Sequence, residues 1–123
     1  MNDTAPVVWT APLRDEVWSV GVRGRLDHNA VPQLESALRE LAAAGHVRLM
    51  VDMELVSYIN SGGLRVLISA WRAARREGGD LQLCRLNPRV NDIFRMAGFD
   101  QVFRIHDLPS DAVCALLNEP AVP

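Results

Sequence analysis

Three times between residues 29 and 105 of this chain, a stretch whose apolar residues recur at i, i+3, i+4 and i+7 gives way within a few residues to a short, dense apolar run. Nothing else in the sequence restricts the fold so strongly. A helix-period segment buries one stripe, whereas a short apolar run buries both faces of a strand. Their regular alternation calls for helices packed on a largely parallel sheet, joined by right-handed crossovers.

The elements follow in order. "VVWTAP" (7–12) and "VWSVGVRG" (17–24) are rich in β-branched and aromatic residues, and the "LRDE" between them fits a hairpin. From Asn29 onward, Leu34, Ala37, Leu38 and Leu41 mark one helical face, with Pro32 in the first turn and Gly45 past the end. "VRLMVDM" (47–53) reads as a buried strand. Leu64, Leu67, Ile68 and Trp71 mark the next helix, closed by Gly78 and Gly79, and "DLQLC" (80–84) is the strand after it. Asn87 as cap and Pro88 at the first position open a helix striped by Val90, Ile93, Phe94 and Ala97 and stopped by Gly98. "QVFRI" (101–105) is a last short strand, "PSDAVCALLNE" (109–119) a terminal helix, and "PAVP" (120–123) a loose tail. The expectation is an α/β fold, an open, mixed, mostly parallel sheet with packed helices in the order β-β-α-β-α-β-α-β-α. It forms one domain over 1–123 with its core at about 7–118.

Composition removes several classes of function. A chain of 123 residues, 49% hydrophobic, can build its own core without disulfide or metal. Its thirteen basic residues are all arginine, which excludes a Schiff-base lysine or a P-loop lysine here. A net charge of -2 argues against nucleic acid or an anionic membrane as an obligate partner. No apolar run approaches the roughly 18 residues of a membrane span, and "MNDTAPVVWTAP" shows no basic-then-apolar leader. Cys84 and Cys114 lack the spacing of a metal or redox pair and read as buried small residues in a reducing, cytoplasmic setting.

Ser61, in "SYINSGGLRVL" (57–67), is the main chemical candidate. Ile59 and Asn60 before it and Gly62 and Gly63 after it do not make the G-x-S-x-G elbow of a hydrolase. His28, His46 and His106 are scattered and read as surface or cap residues, so neither a metal nor a cofactor is expected. "GVRGRLD" (21–27) fits neither a dinucleotide nor a Walker pattern. Asp27, His28 and Asn29 read as Asx-turn and N-cap residues, and on spacing alone Ser61 is a helix cap. Two features favour more for Ser61. In open α/β sheets function gathers at loops leaving the carboxyl ends of strands, and "SYINSGG" is such a loop. On the helix that follows, Ser61, Arg65, Arg72 and Arg76 fall near one solvent-facing line, with Arg65 one turn from Ser61 and able to pair with a phosphate there.

The stretch from "LVSYINSGGLRVL" through "FRIHD", together with "GRLDHNAVPQL", resembles the bacterial anti-sigma factor antagonists, the small single-domain members of the STAS family. The resemblance runs from about Val17 to Asp107. In that family the usual loop is Asp-Ser-Ser-Gly, and its first serine is phosphorylated. The resemblance implies an acceptor at Ser61, with Asn60 in place of the acid, Gly62 in place of the second serine, and Gly63 kept. It implies a binding module, not an enzyme, working by partner switching. The unphosphorylated form would bind an anti-sigma factor serine kinase of the histidine-kinase-like ATPase fold and free its sigma factor or other client. Phosphorylation would end that binding, and a metal-dependent serine phosphatase would reset it. It also raises Asp27, His28 and Asn29 from caps to interface residues beside Asn60, Ser61, Gly62, Gly63 and Arg65. The alternative class is a peripheral STAS subunit of a lipid or anion transport complex; a nucleotide-binding STAS domain is a third.

Overall fold

A computed structural model describes residues 7–119; the reading of "PAVP" as a loose tail lies outside them. The elements are β1 (Val8–Pro12), β2 (Val17–Leu26), α1 (Val31–Ala43), β3 (Arg48–Ile59), α2 (Ser61–Arg76), β4 (Asp80–Cys84), α3 (Pro88–Met96), a 3-10 turn (Phe99–Gln101), β5 (Ile105–His106) and α4 (Pro109–Leu116). The five strands form one sheet in the order β1-β2-β3-β4-β5. β1 runs antiparallel to β2, and every later pair is parallel. The expected mixed α/β sheet and the order of its elements are therefore present.

Alternation along the strands assigns the layers. In β3, Leu49, Val51 and Met53 point to one face and Met50 to the other. The first set joins Leu34, Leu38 and Leu41 of α1, Leu64 and Leu67 of α2, and Val90 and Phe94 of α3 in one buried cluster. Met50 joins Val17 and Cys84 in a second cluster, covered by Ala112, Val113 and Leu116 of α4. Each fully buried Leu or Val contributes about 1.5–3 kcal/mol of apolar transfer, so the pleat decides which helix each strand residue holds. Both cysteines are free thiols and buried, as the sequence implied. Burial pushes the Cys84 thiol up to about 12, and its Sγ donates to the Met50 sulfur at 3.2 Å.

The joint between α2 and β4 explains the double glycine. Gly78 has φ +84°, the left-handed conformation that ends helices without steric cost to glycine. A Cβ on Gly79 would lie 1.9 Å from the Val47 carbonyl oxygen, so the chain passes there only without a side chain.

Several boundaries differ from the sequence reading. α1 begins at Val31, so Asn29 lies before it, and its N-cap is Ala30, which makes no side-chain cap bond. β2 runs to Leu26 instead of residue 24, with irregular register against β3 between Gly21 and Arg23 and between Gly24 and Arg25. β3 continues beyond residue 53 to Ile59, because Val56 and Ile59 still reach the core although Glu54, Leu55 and Ser57 are exposed. The strand expected at 101–105 is a 3-10 turn followed by a two-residue strand, since Phe103 turns inward against Phe94, Phe99 and Trp71 rather than lying in a ladder. α4 ends at Leu116, short of residue 119.

Candidate functional site

The site is built where β2 and β3 end side by side. β3 pairs with β4 only over Arg48–Asp52, but with β2 as far as Leu26 opposite Ile59. The stretch 53–59 thus extends past the shorter half of the sheet. On its open side, the Asn87 side-chain amide donates to the Val56 carbonyl at 2.7 Å, while the same side chain caps α3 by accepting from the Val90 N–H at 2.9 Å.

Asn60 joins strand to helix. Its backbone N–H donates to the Leu26 carbonyl at 3.0 Å, the last bond of the β2–β3 ladder. Its side-chain oxygen accepts from the Gly63 N–H at 2.9 Å. Asn60, in extended conformation, is therefore the N-cap of α2, and Ser61 is its first helical residue, exposed to solvent. The cap therefore lies one position before Ser61, and Ser57, Tyr58 and Ile59 belong to β3 and not to a loop. The Leu64 N–H goes to the Asn60 carbonyl, which leaves the Ser61 and Gly62 N–H groups as the free donors of the first turn.

Gly63 is fixed by close approach. An added Cβ would stand 2.7 Å from Cγ1 of Ile59, so glycine lets the start of α2 sit on the end of β3. At Gly62 a Cβ would meet the Asn60 side-chain oxygen at 3.3 Å and the Val31 side chain at 3.8 Å, which brings the start of α1 against the start of α2.

That contact places the Asp27–Ala30 turn next to Ser61. The Asp27 carboxylate accepts from the Asn29 N–H at 3.1 Å, the expected Asx-turn, and its carbonyl accepts from Ala30 and Val31. The Asn29 N–H, then that of Ala30 and the positive charges of His28 and Arg25, hold the Asp27 carboxyl below its ordinary value against the opposing effect of partial burial. His28 and Asn29 are exposed. Asp27, His28, Asn29, Asn60, Ser61, Gly62 and Gly63 thus meet at one corner, and Arg65 lies exposed one turn along α2.

Two features were missed in the sequence. The Arg25 guanidinium sits 4.3 Å from the centre of the Tyr58 ring on the adjoining strand, flanking the corner. Asn87 ties the site's strand to α3. Arg25 and Tyr58 stand opposite each other only through a register shift that no spacing rule shows. Of the three histidines expected as surface or cap residues, His28 is exposed, whereas half-buried His46 stacks on Trp18 with ring centres 4.5 Å apart and half-buried His106 contacts Gln82 Oε1 at 2.8 Å. No group of histidines, cysteines and carboxylates among the described residues could hold a metal ion.

Comparison with known proteins places this arrangement. Residues 9–109 match the family model described as "Mlab, STAS domain". The chain is 31% identical over 94 residues to BtrV of Bordetella bronchiseptica, a candidate anti-sigma factor antagonist, covering 76% of this chain and 81% of that one. An anti-sigma factor antagonist from Mycobacterium paratuberculosis superposes with a TM-score of 0.79 at 25% identity, over 92% of this chain and 97% of the other. The Bacillus cell fate determinant SpoIIAA in its phosphorylated form shares the fold, with a TM-score of 0.70 at 18% identity over 88% and 97% of the two chains. The chain belongs to the STAS domain family, among the anti-sigma factor antagonists, which are regulatory binding proteins rather than enzymes.

Proposed function

We propose that this protein is a phosphorylation-controlled partner switch. Unphosphorylated, it binds an anti-sigma factor serine kinase of the histidine-kinase-like ATPase fold and releases that kinase's sigma factor or other client. Phosphorylation of Ser61 ends the binding, and a metal-dependent serine phosphatase restores it. The observation that carries the reading is the position of Ser61, exposed as the first residue of α2 with free N–H groups beside it and the Asp27–Asn29 turn alongside. A phosphate there adds about -1.5 to -2 charges, which the helix N-terminus tolerates without refolding. At a packed interface the same group brings bulk and charge, and a penalty of about 3 kcal/mol weakens binding roughly a hundredfold. Asp27, His28, Asn29, Asn60, Gly62 and Arg65 form the contact surface around it, while Gly63, expected among them, is buried against Ile59 and sets the seat of α2 beneath that surface. Asn60 keeps the cap that an aspartate would supply, so the acceptor stays in place without the acid.

The test is labelling with ATP by the cognate kinase. Wild type takes up phosphate and Ser61→Ala does not, while Ser61→Asp loses affinity for the kinase. Equal labelling of wild type and Ser61→Ala sinks the assignment. The second reading is a peripheral STAS subunit of a lipid or anion transport complex. Co-purification with a transporter ATPase instead of a kinase would select it.

A further inference from the structure

The outer ridge of α2 carries a charge pattern that the fold does not need. Ser61, Arg65, Ser69, Arg72 and Arg76 are all exposed and, at about 100° per residue, lie within one narrow sector of the helix. They extend over about 22 Å at 1.5 Å per residue. Five arginines elsewhere pair with carboxylates, Arg14 with Glu119, Arg39 with Glu35, Arg75 with Asp80, Arg85 with Asp52 and Glu54, and Arg95 with Asp92, whereas Arg48, Arg89 and Arg104, which have no ion pair among the described residues, stand singly on β3, α3 and the segment before β5. Arg65, Arg72 and Arg76 have no carboxylate partner among the described residues. Arg72 and Arg76 are also a like-charged i, i+4 pair, an arrangement that disfavours the helix. Beside this ridge runs a furrow of about 310 Å³ between α1 and α2, its floor apolar with Leu38, Val66 and Ala70 and its rim carrying Glu35, Arg39 and Glu77.

We infer that the ridge and furrow together receive an acidic, amphipathic segment of the protein partner that engages Ser61; the inference rests on the proposed switch. Three guanidinium groups without internal partners ask for carboxylates from outside, and the furrow beside them takes the apolar side of the same segment. The ridge is one helix wide on a chain with more acidic than basic residues, 15 against 13, which suits an acidic protein surface better than a nucleic acid. The ridge also supplies a mechanism for the switch. It begins at Ser61, so a phosphate there cancels most of the three positive charges and presents a like charge to the incoming carboxylates.

The experiment measures association of the full chain with each histidine-kinase-like ATPase of the source genome, at about 20 mM and about 500 mM salt, where the screening length shrinks several-fold. The variant replaces Arg65, Arg72 and Arg76 together with glutamine. Its fold is verified by circular dichroism, and its melting temperature stays at or above wild type because the Arg72–Arg76 repulsion is gone. Expected is an association rate about tenfold below wild type at low salt, with the difference largely lost at high salt. An unchanged rate and unchanged salt dependence, with wild type still binding and being labelled, overturns the ridge and leaves the switch standing. Loss of binding to duplex DNA or to phosphatidylglycerol vesicles, with kinase binding intact, overturns the choice of an acidic protein. Failure of wild type itself to bind or be labelled by any such kinase overturns the switch, and the partner inferred here with it.

Discussion

Replacing Gly63 with alanine tests the geometry of the site without touching its chemistry. The new methyl would lie 2.7 Å from Cγ1 and 3.0 Å from Cδ1 of Ile59. Ile59 is only 1% exposed and enclosed by the main core, so either its side chain leaves its rotamer or α2 rises off the strand end. Overpacking of this kind costs about 1–3 kcal/mol, and exchanging glycine for alanine in a helix returns at most about 1 kcal/mol. With the full return the net loss is up to about 2 kcal/mol, or up to roughly 8 °C in Tm for a chain of this size. Gly62→Ala is the control. It gains the same backbone term, while its methyl meets the Asn60 side-chain oxygen at 3.3 Å, an approach relieved by a small shift. Thermal and urea unfolding followed by circular dichroism should rank Gly62→Ala at or above wild type and Gly63→Ala below both. Equal stability of the two variants would refute the claim that contact with Ile59, and not general helix propensity, fixes glycine at position 63.

Two further outcomes follow from the same structure. Asn60→Ala removes the side-chain acceptor of the Gly63 N–H and should cost about 1 kcal/mol in urea unfolding, while Asn60→Asp keeps the cap and matches or exceeds wild type. Burial, with Arg104 adding to it against Asp107 and Asp111, holds His106 below its ordinary value of 6.5, so the fold favours the neutral ring. The stabilisation is complete above about pH 6.5 and is lost as pH falls below it through the folded value; His106→Gln should flatten this part of a Tm-against-pH curve.

Much of the fold was legible where the residues at helix ends are distinctive. Asn87, Pro88 and Gly98 bracket α3, and Gly78 and Gly79 close α2. The strand ends were less legible. The dense apolar run of β3 stops at residue 53, yet Val56 and Ile59 carry the strand on between exposed Glu54, Leu55 and Ser57. "QVFRI" has strand composition, but Phe103 serves an aromatic cluster, and β-propensity cannot separate those two uses of the same residues. Of the site, Ser61 at the mouth of a helix could be read directly. That Asp27 lies beside it could not be read from spacing, because their neighbourhood comes from the register of β2 on β3, which brings together residues far apart in the chain.

The bond from the Asn60 N–H to the Leu26 carbonyl bears on the thermodynamics of recognition. It belongs to the sheet itself, so the two segments that flank Ser61 are held in place before any encounter. Under the proposed reading, a partner need not supply the roughly 1–2 kcal/mol per residue that ordering a free loop would cost. A preorganised surface of this kind also cannot yield around an added phosphate, so the rigidity that favours complex formation is what makes its loss on modification steep.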